Sequence, residues 1–235
     1  MSVDLGQTSR RGYHPGRSYA YRALWLLVEA IVLLNPVVTP YSLKRWVLRR
    51  FGARIGREVL IKPNVHVKYP WHLEIGDNAW IGERAWIDNF VQVRIGANAV
   101  VSQGAYLCTG NHDWSDPGMG LVVKAVTVED GAWVGAFARI APGVTVGREA
   151  IVTLGSVLLE DAEPRGVYTG NPAVRVRQRA IRDEPGPKQG VAAPASAGRA
   201  GSAGPSRARP ADRRLPTGAA KNRGNGPRQD AQVER

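Results

Sequence analysis

His112 is the side chain of this 235-residue protein that is best suited to acid–base chemistry. It lies in the stretch LCTGNHDW, residues 107–114, and is followed by Asp113 and Trp114. A neutral imidazole accepts protons near pH 7, so it can activate a hydroxyl group for attack on a carbonyl carbon. We therefore predict that His112 is a general base. Asp113 would orient the ring or bind substrate and Trp114 would stack on a substrate face, unless both only anchor the loop.

The other reactive side chains fit structural roles. His14 lies in the polar N-terminus, His66 and His72 lie in irregular segments, and no histidine follows His112, so we expect no metal site. Cys108 precedes His112 by four residues, which span about 13 Å in a strand, so we expect a small packing residue and no nucleophile. A single cysteine excludes a disulfide framework and fits a reducing compartment.

A six-residue repeat forms the elements that would position His112. An aliphatic residue opens each unit and a small residue usually follows it; the units begin at Ile55, Ile75, Ile81, Ile95, Val101, Val128, Val134, Ile140, Val146, Val152 and Leu158. This period matches neither a helix nor a simple strand. It fits a short strand plus a turn, three of which make one coil of a triangular parallel β-solenoid. We predict an all-β parallel β-helix over residues 55–181, with aliphatic residues inside and small residues at the tight bends.

Two breaks in the repeat are candidates for function. Residues 111–125 are too numerous for a corner and must leave the prism as a loop, and loops on rigid scaffolds often carry binding residues. The second break, WIDNFVQVRIG, contains Asp88 and Asn89. Their carboxylate and amide groups could bind substrate hydroxyls or simply form a turn.

The net charge of +12 belongs to the two ends of the chain. Residues 1–54 contain nine Lys/Arg and two Asp/Glu, residues 55–181 contain twelve and thirteen, and residues 182–235 contain eleven and five. The near-neutral central domain gives no reason to expect nucleic-acid binding. Residues 182–235 lack aromatic side chains and contain seven Pro and eight Gly, so we expect a disordered basic tail.

An apolar run from Ala23 to Val38, which includes Glu29 and Pro36, predicts a helix within the basic N-terminal segment 1–54. The run is shorter than the roughly 20 residues that a membrane span needs. Either the helix packs inside the protein or a trimer, or it lies in a membrane interface. The interfacial alternative is favoured by flanking basic residues, namely Arg17, Arg22, Lys44, Arg45, Arg49 and Arg50. No cleavable signal peptide is apparent, and we expect a cytoplasmic protein, with peripheral association at the inner membrane face left open.

The hexads resemble those of the hexapeptide-repeat acyltransferases, which form a left-handed parallel β-helix. The stretches LCTGNHDWSDPGMGL, APGVTVG and YTGNPAVRVR resemble the colanic acid biosynthesis (WcaF-type) acetyltransferases, which are relatives of the maltose and galactoside O-acetyltransferases. The stretches WLLVEAIVLLNP, KYPWHLEIGD and WIDN resemble the same group. The resemblance covers roughly residues 18–179 and leaves out the basic tail.

This resemblance implies direct transfer of an acetyl group from acetyl-CoA to a sugar hydroxyl, without a metal and with His112 as the base. It implies a homotrimer in which one subunit supplies His112 and the next supplies the main-chain N–H of Ala136 to the oxyanion. It also implies that the pantetheine arm of acetyl-CoA lies near Leu154 and Gly155 and that its nucleotide phosphates lie near Arg177.

This sequence departs from the family pattern at two places. Relatives commonly carry Thr-Lys where this chain has Leu159-Glu160, and they carry Arg where it has Val174. These departures favour one alternative, a β-solenoid binding or scaffold protein without activity, whereas the intact TGNHDW stretch favours an enzyme.

The resemblance also suggests the acceptor, which would be a sugar of an exopolysaccharide or its lipid-linked precursor. A lipid-linked acceptor would explain an apolar, basic N-terminus that contacts an anionic membrane. A serine or amino-sugar acceptor is the alternative within enzymes. An amine acceptor usually needs an acidic pocket, and the second break offers only Asp88.

Overall fold

The computed structural model describes residues 2–7, 13–35 and 39–182. In these ranges, short 3-10 turns at Leu5–Gln7 and Pro70–His72 accompany helices α1 (Tyr19–Val32) and α2 (Tyr41–Arg50). The predicted disordered tail lies outside the described residues, apart from Arg182. Residues 36–38 of the apolar run also lie outside them.

The strands after α2 follow one another in coils of three. The bounds are β1 (Arg54–Ile55), β2 (Leu60–Ile61) and β3 (His66–Val67) in the first coil; β4 (Leu73–Ile75), β5 (Trp80–Ile81) and β6 (Trp86–Asp88) in the second; β7 (Val93–Ile95), β8 (Val100–Val101) and β9 (Tyr106–Cys108) in the third; β10 (Gly110–His112) and β11 (Leu121–Val123) in a hairpin; β12 (Val126–Val128), β13 (Trp133–Val134) and β14 (Arg139–Ile140) in the fourth coil; β15 (Thr145–Val146), β16 (Ile151–Val152) and β17 (Val157–Leu158) in the fifth; then β18 (Gly166–Gly170) and β19 (Ala173–Gln178). The first strands of the coils form sheet 1, the second strands together with β18 and β19 form sheet 2, and the third strands form sheet 3.

Parallel pairing between equivalent strands of successive coils builds the three faces of the prism. In sheet 2, for example, Ile61 aligns with Ile81, and Ile81 aligns with Val101. The aliphatic residues that open the hexads are all buried, with exposed fractions from 0 to 8%. The predicted parallel β-helix with a helical N-terminal segment is therefore confirmed.

Small residues have the predicted role at tight bends in four hexads, where Gly104, Gly131, Gly143 and Gly155 adopt positive φ. They also serve two further purposes. The second inward-facing position is the fifth, which Ala or Val occupies in all units except that of Val152, where it is Ser156; it includes Val59, Ala79, Ala85, Ala99, Ala105, Ala132, Ala138 and Ala150. Glycine at the second position lets the coils stack, because a Cβ on Gly76 would lie 2.5 Å from the Ala97 amide nitrogen of the next coil. The bends fall on the fourth position, where φ is positive even at non-glycine residues such as Asn78 and Phe137.

The first coil has backbone groups with no coil below them, and side chains of the two helices bind these groups. Lys44 Nζ donates to the Ile61 carbonyl at 3.0 Å, and Arg45 donates to the Val59 carbonyl at 3.0 Å. Arg49 donates to the carbonyls of Ile55 and Gly56 at distances of 2.7–2.9 Å. Buried carbonyls need such donors.

On α1, Trp25 Nε1 donates to the Val67 carbonyl at 2.9 Å, and Glu29 accepts the Val67 N–H at 2.6 Å. Together α1 and α2 therefore cap the open end of the solenoid.

The basic residues of α2 belong to this cap. Lys44, Arg45 and Arg49 had favoured the membrane-interface alternative, but they contact carbonyls of the first coil, which fits the packing alternative. Burial lowers the pKa of Lys44, with the charge of Lys62 as the second cause. In the described part of the chain, no helix is long and apolar enough to cross a membrane.

The cap predicts different effects for two adjacent arginines. Arg49→Met should lower the free energy of unfolding by at least about 1 kcal/mol, because charged hydrogen bonds to the first coil are lost. Arg50→Met removes the same charge from an exposed residue of the same helix. This substitution should change the free energy of unfolding by less than about 0.5 kcal/mol. Urea denaturation measures both values, and equal losses in the two variants would contradict the capping role.

Candidate active site

The chain leaves the prism between β9 and β12, at the corner between sheets 3 and 1. There β10 and β11 pair as an antiparallel hairpin, with His112 opposite Leu121. The predicted departure of residues 111–125 from the solenoid is therefore confirmed. The rigid coils on both sides fix the base of the hairpin, which positions His112 at its outer end.

A backbone carbonyl selects the tautomer of the neutral His112 ring. Its Nδ1 lies 2.7 Å from the Met119 carbonyl oxygen, and the residue is exposed. Because a carbonyl only accepts hydrogen bonds, the neutral ring carries its proton on Nδ1 and keeps a lone pair on Nε2. Nε2 can therefore accept a proton from a bound hydroxyl group.

Asp116 holds the turn that presents the Met119 carbonyl. Its carboxylate accepts the N–H groups of Gly118 and Gly120 at 3.0 and 2.9 Å, and its carbonyl accepts the Met119 N–H at 2.8 Å. Sequence analysis did not identify Asp116 as a site residue. The DPGMG stretch is a turn signal that could have indicated its role.

Asp113 does not orient the His112 ring, contrary to one of its two predicted roles. Its carboxylate accepts hydrogen bonds from the Ser115 N–H and from the Ser115 hydroxyl. These bonds lower the pKa of Asp113. Trp114 is 84% exposed and lines, with His112, an open cleft of about 440 Å³. Asp113 and Leu159 line the same cleft, so the departure at Leu159-Glu160 lies next to the predicted base.

Asp88 and Asn89 brace a corner of the prism, which fits the second of their two predicted roles, that of a turn. The carboxylate of Asp88 is 2.9 Å from both Lys68 Nζ and Tyr106 Oη. Burial raises the pKa of Tyr106, which therefore donates this hydrogen bond. Asn89 is fully buried, and its amide group binds both the N–H and the carbonyl of Tyr69. Every polar side-chain atom of the two residues therefore already has a hydrogen-bond partner within the chain.

The residues expected to meet acetyl-CoA lie at a different corner, between sheets 2 and 3. Ala136 follows β13, and Leu154 and Gly155 follow β16 in the next coil. The Gly155 N–H donates to the Ala136 carbonyl at 2.8 Å, and Leu154 is 73% exposed. The Ala136 N–H has no acceptor among the described residues.

Arg177 lies on β19, opposite Val167, and is exposed. Its neighbour Arg175 pairs with Glu163 at 3.1 Å. Among the described residues, Arg177 has no such carboxylate partner, so its guanidinium is available for an anion.

The two sets of predicted residues therefore do not meet within one chain. His112 projects from the corner between sheets 3 and 1, whereas Ala136 lies at the corner between sheets 2 and 3, and β14 separates the two corners. A site that uses both residues needs a second copy of the chain. Across the described ranges, no three His, Cys, Asp or Glu side chains form a group that could hold a metal ion.

Comparisons with known proteins agree with this fold. A family profile described as the hexapeptide repeat of succinyl-transferase matches residues 73–108 and 125–160, which are the coils on either side of the hairpin. A hexapeptide-repeat acetyltransferase from Vibrio cholerae, solved in complex with acetyl coenzyme A, superimposes with a TM-score of 0.61 at 21% identity, covering 68% of this chain and 87% of that one.

Curated relatives give the family. The putative colanic acid biosynthesis acetyltransferase WcaF of Escherichia coli is 34% identical over 169 residues, which are 72% of this chain and 92% of the relative. The galactoside O-acetyltransferase of Escherichia coli is 26% identical over 141 residues, covering 58% of this chain and 69% of the relative. This chain belongs to the hexapeptide-repeat acetyltransferase family.

Proposed function

We propose that this protein transfers an acetyl group from acetyl-CoA to a sugar hydroxyl of an exopolysaccharide repeat unit or its lipid-linked precursor, in the manner of a colanic acid acetyltransferase. The observation that carries the proposal is the hydrogen bond between His112 Nδ1 and the Met119 carbonyl. It leaves Nε2 as a proton acceptor in an open cleft. The relative named for colanic acid biosynthesis suggests the class of acceptor.

The proposed reaction is a direct transfer. His112 Nε2 takes the proton of the acceptor hydroxyl while the hydroxyl oxygen forms a bond to the thioester carbon. The carbonyl becomes an oxyanion, which the Ala136 N–H of a neighbouring subunit stabilises. The oxyanion then collapses, the bond from carbon to sulfur breaks, and the coenzyme A thiolate takes the proton from His112.

Two features of the corner between sheets 2 and 3 support its role in binding acetyl-CoA. The first is an open edge of the coils: Leu154 is exposed, and a Cβ on Gly155 would meet no atom within 4 Å. The second is the positive charge of Arg177, on β19 at the end of sheet 2. Acetyl-CoA as the acetyl donor is in keeping with the Vibrio cholerae acetyltransferase, which was solved in complex with acetyl coenzyme A.

The outer face of sheet 2 supports a homotrimer. Its outward side chains form an apolar ladder, made of Leu60, Trp80, Val100, Trp133 and Ile151. The outward residues of sheet 1 include Arg94, Glu74 and Thr127, which are polar. A face such as that of sheet 2 is typical of subunit interfaces. Packing a partner on it would bring the adjacent corner, with Ala136, to the interface.

We place the enzyme in the cytoplasm, in peripheral contact with the membrane when the acceptor is lipid-linked. Leu27 and Ile31 of α1 are 59% and 60% exposed, which supports such contact.

Removal of the base should abolish transfer while leaving donor binding intact. His112→Ala should lower kcat by roughly 10²–10⁴-fold, since Nε2 no longer accepts the proton. The measurement is thiol release from acetyl-CoA with a panel of sugars, beside acetyl-CoA affinity by calorimetry. His14→Ala, which alters an exposed histidine outside the cleft, serves as the control. Comparable turnover by the two variants would refute the assignment.

Asp116 should act as a positioning residue. Asp116→Ala removes the two side-chain acceptors that hold the turn of Met119, so we expect kcat to fall by about tenfold or more with little change in the KM for acetyl-CoA. Asp130→Ala is the matched control, because Asp130 accepts the Ala97 N–H at 2.8 Å at the corner between sheets 1 and 2 and does not line the cleft. A loss of stability without a change in kcat would indicate a purely structural role.

The apolar ladder should control assembly. Trp80→Glu places a charge on the outer face of sheet 2, so we expect monomers by light scattering and loss of acetyl transfer. Thr127→Glu places the same charge on the outer face of sheet 1 and should leave both properties unchanged. Active trimers of Trp80→Glu would show that another face forms the interface.

A further inference from the structure

Helix α1 and the first coil enclose a pocket of about 290 Å³ that the proposed transfer reaction does not use. Its lining includes Arg22, Leu26, Lys68 and Tyr69. The pocket lies at the capped end of the solenoid, below the coils that carry His112 and Ala136.

Arg22 is an unpaired cation in this pocket. Its Nε is buried and has no hydrogen-bond partner among the described residues, and its Cζ lies over the Tyr19 ring, 5.7 Å from the ring centroid. A buried N–H without an acceptor costs about 1–3 kcal/mol, so such groups usually mark a missing partner. The partner would have to be a hydrogen-bond acceptor, and a negatively charged one would suit a guanidinium best.

The charges around Arg22 favour an anion. Lys68 Nζ also lines the pocket and is 2.9 Å from Asp88, which leaves it other donors. Glu29 is the one acidic residue between Asp4 and Glu58 in the sequence. It is 1% exposed and binds the Val67 N–H and the His66 ring. The helices therefore present no exposed carboxylate from the described residues 13–53 that would repel an anion.

The surface beside the pocket is apolar. Leu26 lines the pocket and is 58% exposed. One position further along the helix, Leu27 is 59% exposed, and Leu24 and Ile31 continue the same stripe. An apolar outer face with cations at its edge is typical of helices that lie in a membrane interface. A phosphate with an acyl chain matches both halves of this surface, whereas a free soluble anion would use only the pocket.

We propose that this pocket binds the phosphate group of an anionic lipid, with Arg22 as the main donor, and that the outer face of α1 lies in the membrane interface. The lipid phosphate carries the negative charge into the pocket, and its chains extend along Leu26 and Leu27. The proposal rests on the proposed function only in that a lipid-linked saccharide acceptor would bind through its own phosphate at the same site.

The test uses the full chain and two probes. Calorimetry compares monomeric dihexanoyl phosphatidic acid with inorganic phosphate, and flotation compares vesicles of phosphatidylglycerol plus phosphatidylcholine with vesicles of phosphatidylcholine alone. We expect the short-chain lipid to bind at least about tenfold more tightly than inorganic phosphate, since its chains add apolar contact. Arg22→Gln should weaken lipid binding by about tenfold or more.

Arg50→Gln is the matched control, because it removes one charge from an exposed position of α2. It should leave binding of the short-chain lipid unchanged and weaken vesicle binding by no more than about fivefold. The unfolding midpoint of Arg22→Gln should match that of the wild type, since the buried Nε of Arg22 has no hydrogen-bond partner within the described chain.

Three results would overturn the proposal. Equal losses of lipid binding in Arg22→Gln and Arg50→Gln would show that general surface electrostatics, and not this pocket, attracts the lipid. Inorganic phosphate that binds as tightly as the lipid would make it a soluble-anion site, and displacement of the lipid by coenzyme A would assign the pocket to the acetyl donor. Acetyl transfer to a soluble sugar should persist in Arg22→Gln, so failure of this site and failure of the His112 assignment are distinguishable.

Discussion

Backbone hydrogen bonding between stacked coils is the constraint on which the rest of the structure depends. Each coil donates to the next, as Leu60 does to the Ala79 carbonyl, so a coil without a neighbour exposes a row of unpaired groups. At the first coil, Lys44, Arg45, Arg49 and Trp25 bind these groups. The same ladder allows extra residues only at corners. This restriction explains why the hairpin with His112 leaves between two coils and disturbs neither.

A backbone carbonyl in the hairpin determines which nitrogen of His112 can accept a proton. The Met119 carbonyl holds the Nδ1 proton of His112, and the two glycine N–H bonds of Asp116 hold that carbonyl in place. The remaining groups of the proposed reaction lie at another corner of the prism. The proposed trimer would bring His112 of one chain next to Ala136 of another, although these two residues lie at different corners within one chain.

The sequence predicted those features that repeat. The hexad aliphatic residues follow the register of the three sheets, since each must fill the same interior position in every coil. Features set by single contacts were not predictable in this way. The basic residues of α2 matched a membrane-facing pattern, yet Arg49 binds the first coil, because sequence spacing does not show which way a helix face turns. The sequence context of Asn89 likewise suggested a substrate-binding residue, but its amide group forms hydrogen bonds with the Tyr69 backbone. The partner of His112 is a main-chain carbonyl, which no side-chain pattern reveals.

In the proposed trimer, one chain supplies the base and the next supplies the oxyanion donor. Mixed assemblies of His112→Ala and Ala136→Pro protomers test this arrangement directly, because proline removes the Ala136 N–H. The chain already carries proline at the equivalent hexad position, at Pro63 and Pro142, so this substitution suits the fold. We expect each variant alone to be inactive and the mixture to recover about a quarter of wild-type activity, since random assembly pairs intact groups at one interface in about four. A mixture as inactive as its parents, or full activity of Ala136→Pro alone, would contradict the shared site.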